Sequence, residues 1–415
     1  MTVSTELFRE LTEPNFAALG RLTGDPAAFR AAPPAQPVVF RGGAGFTDLF
    51  GWGALDTVLS AGARRRPDFR VIRDNAQIPD RRYTRSTMMH PDVPDVRKTS
   101  DELAAGASLV MQGLQEYSEP IARFTRRLAH DLSRPVHANA YVTPPKSQGF
   151  KAHFDPRDSF VLQVEGTKVW TLREPVLNQP LAHENWERLQ ERPGWDTARL
   201  EAIEPWREVT LEPGDCLWLP RGWVHSACSE GVSSLHLTLS LTAWTEHWAV
   251  SQLLSRIVEV PGRAAFPADF VRDAGAATAA VAQLRSGLTA WFEETSDAEL
   301  AGILQAAARS EFAVPLHQVS AVLADDALTP DTEFVVNTEA VLGAAQRGDR
   351  LALHLADRVV TLPAAAAPLI ADLLGRNRFT LAELSPSVGE DVVRLLWREG
   401  IVATATATVT AVAER

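Results

Sequence analysis

Cysteine is almost absent from this chain: Cys216 and Cys228 are the only two in 415 residues. Two lone thiols argue against a disulfide framework and predict a reducing compartment. No apolar run approaches the length of a membrane span, and the first ten residues are polar and acidic, without the apolar core of a signal peptide. These absences predict a cytoplasmic protein with no membrane partner. Positive charge is also scarce, with 41 Lys and Arg against 52 Asp and Glu for a net charge of −11. Phosphate neutralisation requires clustered cations, so direct DNA binding is not expected, and a basic protein or peptide is the better partner. No internal repeat or low-complexity segment stands out beyond a short Ala-Thr run near the C-terminus and four alanines from Ala364 to Ala367. Apolar residues make up 45% of the chain, ample for the buried cores of two or three domains.

Chemistry concentrates in one stretch. Gln148-Gly-Phe-Lys-Ala-His153-Phe-Asp155 is followed fifteen residues after the histidine by Lys168, and later by His225 in Leu-Pro-Arg-Gly-Trp-Val-His. Two histidines and one carboxylate form the ligand set of a facial triad, which holds Fe(II) on one face and leaves the other open for a co-substrate and oxygen. A His-x-Asp alone carries little weight, since a chain of this length holds about one by chance. His90-Pro-Asp92 is such a decoy: Pro91 suits a turn better than a strand, and no distal histidine segment accompanies it.

Context distinguishes the later copy. Residues 160–172 read as a strand, a Glu-Gly turn and a second strand, rich in β-branched and aromatic side chains. His153 and Asp155, two apart, share one face of an extended segment. Residues 212–220 give a turn and a short apolar strand, which delivers His225 beyond Gly222. The layout predicts three ligands at the mouth of a small barrel.

Asn139-Ala-Tyr141-Val-Thr-Pro-Pro-Lys-Ser-Gln-Gly-Phe-Lys-Ala-His153-Phe-Asp155, together with Phe160-Val-Leu-Gln-Val-Glu-Gly-Thr-Lys168-Val-Trp, resembles the JmjC/cupin-like ribosomal oxygenases. Members of that family are Fe(II)- and 2-oxoglutarate-dependent protein hydroxylases. The resemblance is strong over residues 37–244 and rests on domain order thereafter. Phe154 departs from the tyrosine often found there and is read as packing. A longer departure is the stretch 174–207, which extends the gap between Asp155 and His225 to 70 positions.

A triad leaves about three coordination positions, of which a 2-oxo acid takes two and oxygen the third. The distal carboxylate of the co-substrate then needs a fixed cation. Lys168 either fills that role or is a surface lysine after a turn; spacing alone leaves both open, and the resemblance implies 2-oxoglutarate. The resemblance also implies that Asn139 and Tyr141 lie beside the co-substrate or the target side chain. Thr238 and Ser240 alternate onto one strand face, where they either bond a carboxylate or simply fill the sheet. His236 is read as out of phase with Thr238, and hence as core or as support behind the site. His130, His137, His183, His247, His317 and His354 show no ligand spacing.

Three blocks follow, of overall class α+β. Residues 1–245 are expected to form a JmjC/cupin catalytic domain, a double-stranded β-helix or jelly roll with helices before it. Its entry strand is placed at 37–41 and its helices near 52–59 and 118–132. Within it, Trp186, Trp195 and Trp206 in the long 174–207 stretch favour a lid or substrate loop over a flexible tether, the plainer alternative being a surface excursion with a small core of its own. Residues 246–312 are expected to be helical, with an apolar stripe of Val281, Leu284, Leu288, Trp291 and Phe292 and a capping box beginning at Ser296. A homodimer through this block is expected, as the resemblance implies. Residues 313–415 resemble a winged-helix domain, with a short helix at 380–384, a second capped by Ser387 and ending at Gly400, and a wing strand at 401–410. This block carries eight Arg and no Lys against thirteen acidic residues, which disfavours DNA and favours protein docking or dimer support.

Three functions are distinguished. The first is hydroxylation of a ribosomal protein or peptide side chain, with Arg and His the first candidates. The second is a related oxygenase, either an N-methyl demethylase or a tailoring hydroxylase of a peptide or natural product. The third is a non-catalytic cupin, which requires a defect in the triad or in the co-substrate cation; neither defect is visible.

Overall fold

The computed structural model describes residues 16–61, 68–73, 75–189, 197–256, 265–314, 328–384 and 390–405, with isolated positions 319 and 323. Its contacts divide the chain between Ala243 and Trp244 into two compact units, each described on its own terms.

The first unit is built on strands β1 (Val38–Phe40), β2 (Phe69–Arg73), β3 (Ala76–Gln77), β4 (Thr84–Arg85), β5 (Val93–Pro94), β6 (Ser108–Met111), β7 (Val136–Thr143), β8 (Asp158–Glu165), β9 (Lys168–Arg173), β10 (Arg207–Leu211), β11 (Cys216–Leu219), β12 (Val224–Cys228) and β13 (Ser234–Leu241). Eight of them form one antiparallel sheet in the order β1-β11-β8-β13-β7-β6-β2-β3, and β10-β9-β12 form a second. The sheets share a core: Val161, Leu217 and Leu219 of the large sheet meet Trp170, Leu172, Val209 and Leu211 of the small one, with Trp223 beside them. This is the expected double-sheet arrangement, and the entry strand and both early helices (Trp52–Ala61 and Glu119–Leu132) are present.

Alternation decides which side chains reach the cavity between the sheets. Along β7 the residues from Val136 to Tyr141 alternate strictly between buried and partly exposed. The buried set points to the helical layer, and Tyr141 and Thr143 point to the cavity. The turn between β8 and β9 needs Gly166, whose φ of 62° is left-handed, and a Cβ there would collide with the carbonyl of Ser233. The helix Glu119–Leu132 buries Ile121, Phe124 and Leu128, and its Asp131 accepts from the backbone N–H of Leu19 at 2.9 Å. Burial holds that carboxyl above its ordinary range, against the bond from Leu19.

The second unit begins with helices Glu246–Arg256, Ala274–Glu294 and Asp297–Arg309. The Ser296–Glu299 capping box forms as expected. On Ala274–Glu294 only Ala280 is buried; Val281 is 54% and Phe292 42% exposed, so the described residues leave much of the apolar stripe uncovered. Beyond them, β14 (Glu333–Val336) lies between β18 (Arg378–Thr380) and β19 (Val402–Thr404) in one sheet, and β15 (Gly343–Arg347), β16 (Arg350–His354) and β17 (Val359–Pro363) form a second sheet absent from the sequence reading. Short helices and these strands enclose a core containing Phe334, Phe379 and Trp397. The expected helix at 380–384 is a 3-10 turn, Leu381–Glu383, capped by Thr380. The next helix is Glu390–Arg398, and it buries Val393, Leu396 and Trp397, with Val392 and Leu395 packed against the same core. Gly400 follows it with a φ of 75°. Ser387 and residues 406–410 of the expected wing lie outside the described residues. No described helix is long and apolar enough to cross a membrane.

Candidate metal and co-substrate site

His153 and His225 face one another across an antiparallel bridge, with reciprocal backbone hydrogen bonds of 3.0 and 2.8 Å. Asp155 joins them because its carbonyl accepts from Gly222 N–H at 2.9 Å, just before β12 begins. Gly222 has a φ of 88°, and a Cβ there would lie 2.6 Å from the carbonyl of Leu177. One ligand atom from each of His153, Asp155 and His225 lies within 4.8 Å of the others.

Both imidazoles are oriented from behind. His153 Nδ1 lies 2.8 Å from the carbonyl of Lys151 and His225 Nδ1 lies 3.0 Å from that of Trp223. A carbonyl only accepts, so each Nδ1 carries the proton and each Nε2 presents a lone pair to the shared space. Burial, then the neighbouring His153, lowers the pKa of His225 to about 4, which keeps it neutral and competent as a ligand. Asp155 is 41% exposed and supplies the negative charge at the mouth. His90 and Asp92 take no part: they sit in an outer loop where Thr87 bonds the His90 backbone.

Behind the three ligands lies a cavity of about 600 Å³, open solvent at its mouth included. Lys168 enters it from β9. Its Nζ donates to Thr143 Oγ1 at 2.8 Å, the side chain is buried, and no carboxylate is within ion-pair distance among the described residues. Burial pulls its pKa from 10.5 to about 7. Isolated buried ammonium groups are costly, so the site favours an anion beside Lys168. A donor set of two imidazoles and a carboxylate suits Fe(II), and a cation set behind it suits a bidentate 2-oxo acid with a second carboxylate. The residues present therefore fit both groups.

The remaining sequence candidates separate. Tyr141 and Thr238 line the cavity. Asn139 lies on the same face of β7, opposite Thr238, but its Oδ1 is occupied by Gly113 N–H at 3.1 Å and it is not part of the lining. Ser240 pairs with Ser159 Oγ at 3.1 Å, and it is Ser159 that reaches the cavity. His236 corrects the phase assigned to it. Two positions from Thr238, it shares that residue's face and lines the cavity, stacked on Tyr141 at 4.9 Å and 4°. Cys216 and Cys228 do not line it, and burial raises both thiols. Thr143 was missed, although its parity with Tyr141 places it on the same face.

The 174–207 stretch is a brace as much as a cover. Leu189 and Leu200 are buried with Ala152, Phe154 and Val224, so a small core from this stretch packs on residues flanking all three ligands. Trp186 lies 5.4 Å from the His153 ring, and Phe150 lies at the same distance. Trp206 instead packs on Trp223 at 5.0 Å, away from the cavity, and Trp195 lies outside the described residues.

Comparison with known proteins points to the same fold. Residues 114–248 match the JmjC domain family. The chain is 41% identical over 138 residues to human ribosomal oxygenase 1, covering 33% of this chain and 20% of that protein. It is 35% identical over 159 residues to the bifunctional lysine-specific demethylase and histidyl-hydroxylase NO66 of Dictyostelium discoideum, covering 37% of this chain and 29% of that one. The match thus spans under a third of these relatives' length. Among solved structures, Escherichia coli ycfD superposes with a TM-score of 0.56 over 92% of this chain and 99% of its own, at 16% identity. A second structure, YcfD in complex with cobalt and 2-oxoglutarate, has a TM-score of 0.51 over 89% of this chain and 94% of its own, also at 16% identity. The fold is therefore of the JmjC/cupin type, with mixed helices and sheets.

Proposed function

We propose that this JmjC-domain protein is an Fe(II)- and 2-oxoglutarate-dependent oxygenase that hydroxylates a side chain, Arg or His first, of a ribosomal protein or peptide. The observation that carries this reading is a buried lysine without a carboxylate partner, set behind a His-Asp-His cluster. Fe(II) held by His153, Asp155 and His225 supplies oxygen activation coupled to decarboxylation of the 2-oxo acid, leaving one oxygen atom in succinate and one on the substrate carbon. The protein's own groups do the positioning. His153 and His225 present Nε2 because Lys151 and Trp223 hold the Nδ1 protons. Lys168 binds the distal carboxylate, and Thr143 accepts one ammonium proton so that the others point to that ligand. Tyr141 and Thr238 border the co-substrate, while Asn139 and Ser240 steady the strands beside it. Phe150 and Trp186 flank the His153 ring, where they exclude water and align the target C–H bond.

Glu184, in the 174–207 stretch beside Trp186, favours a basic substrate over an acidic one. The helical block 246–312 serves homodimerisation, for which its uncovered apolar stripe is the support, and 313–415 is a winged-helix-like module for protein docking or dimer support. A cytoplasmic setting fits two cysteines held as thiols. Demethylation is the second reading, because the NO66 relatives are described as both demethylases and hydroxylases. Incubating ribosomal proteins with Fe(II), 2-oxoglutarate and the enzyme decides between them by mass spectrometry. A retained oxygen atom on an unmethylated side chain supports hydroxylation, formaldehyde from a methylated one supports demethylation, and neither product refutes the oxygenase reading.

A further inference from the structure

His236 is buried at 3% exposure in the wall of the cavity that Lys168 enters. Its Nδ1 is sealed without a hydrogen-bond partner, which places the ring proton on the pocket-facing Nε2. Most buried polar groups are satisfied, so a bare imidazole in a cavity wall needs an explanation. Packing fixes the ring rather than leaving it to turn: it is stacked on Tyr141 at 4° and meets Trp170 edge-on at 5.3 Å. Its strand position sets its depth. His236 is in register with Tyr141, whose neighbour on the same face, Thr143, is the group that holds Lys168. The lysine and the histidine therefore approach one end of the cavity from opposite sheets, β9 and β13.

Resting on the oxygenase reading above, we propose that His236 is a further co-substrate-binding residue, donating its pocket-facing imidazole N–H to the distal carboxylate that Lys168 neutralises. A neutral donor suits this position. Burial first, then Lys168 and His225, disfavours the imidazolium, so His236 adds a hydrogen bond without a second charge. The carboxylate gains a second anchor in a fixed direction and the Nε2 proton gains an acceptor, while the sealed Nδ1 keeps the lone pair. Selection for a 2-oxo acid with two carboxylates follows, because a mono-carboxylate leaves both Lys168 and His236 unpaired.

The test is equilibrium binding of 2-oxoglutarate to Mn(II)-loaded protein without oxygen, a readout independent of turnover. His236→Phe keeps the ring that stacks on Tyr141 and removes the donor; His236→Gln keeps a donor. The expected result is at least about a tenfold rise in Kd for His236→Phe, the low end for a lost charged hydrogen bond, with Mn(II) affinity unchanged. Partial recovery is expected in His236→Gln, and pyruvate, which lacks the distal carboxylate, should bind wild type and His236→Phe alike. Unchanged 2-oxoglutarate affinity in a folded His236→Phe overturns the proposal while leaving the oxygenase reading intact. Failure of wild-type protein to bind 2-oxoglutarate with metal present overturns that reading and this one together. Should His236→Phe not fold, nitrogen-15 histidine spectra of Zn(II)-loaded wild type serve instead. A protected His236 N–H appearing with 2-oxoglutarate supports the contact, and its absence at saturation rejects it.

Discussion

Replacing Lys168 by Met tests the electrostatic design of the cavity from two sides. The side chain is 5% exposed, bonds only Thr143 among the described residues, and has its pKa drawn down by burial to about 7. Met fills similar volume without the charge, so it removes the anchor for the distal carboxylate. A charged hydrogen bond contributes roughly 1.5–3 kcal/mol, so the KM for 2-oxoglutarate should rise about tenfold or more. The ligand-free fold should respond in the opposite sense. From about 7 up to 10.5 the unfolded chain keeps the lysine proton while the folded chain releases it, so stability rises with pH through that window. Below about 7 the full cost of the buried charge is present, and there Lys168→Met should melt higher than wild type in the absence of co-substrate. Binding needs the ammonium form, so wild-type affinity for 2-oxoglutarate should fall as pH rises above about 7, by at most about tenfold per unit. Titration calorimetry across that range, with thermal melts of both proteins, measures every part. An unchanged KM in Lys168→Met, or an affinity that is flat with pH, would refute the reasoning and leave the carboxylate to another cation. Arg173 is poorly placed for that, since its guanidinium is engaged by Ile203 and Ser226.

Other expectations follow from the same geometry. His153→Ala and His225→Ala should lose metal binding and turnover while His90→Ala and Asp92→Ala keep both, as metal titration of the four variants will show. Leu189→Ala and Leu200→Ala should each destabilise the first unit by about 2–5 kcal/mol and also weaken metal binding, because their core includes Phe154 and neighbours His153 and His225; denaturation that shifts with metal affinity unmoved would reduce the 174–207 stretch to a cover. Gly222→Ala should do likewise, through a left-handed backbone and the Leu177 carbonyl at 2.6 Å, and a variant of wild-type stability and metal affinity would argue against that constraint.

Much of the site was legible in the chain because period-two alternation and short turns are local. His153 and Asp155 share a face by parity, Gly166 marks the turn before Lys168, and Gly222 marks the turn before His225. What was not legible depends on contacts far apart in sequence. The brace of Leu189 and Leu200 on Ala152 and Phe154 leaves no periodic signal, and it changes the expected effect of removing the 174–207 stretch. The partner of Lys168 is Thr143, 25 positions earlier on another strand. His236 was within reach of the sequence, since it lies two residues from Thr238, but its meaning comes from an unpaired nitrogen that only packing reveals. In the second unit, the strands at 343–347 and 350–354 are short and hold no Val, Ile or Thr, so neither length nor β-branching announces them.

The central claim is that His153, Asp155 and His225 hold Fe(II) for oxidation coupled to 2-oxoglutarate. The most direct measurement follows succinate formed from 2-oxoglutarate by purified wild-type protein and by Asp155→Ala, each with Fe(II), oxygen and a ribosomal protein extract. Oxygen-dependent succinate from wild type and none from Asp155→Ala is the predicted result; no succinate from wild type, or equal amounts from both, would contradict the account.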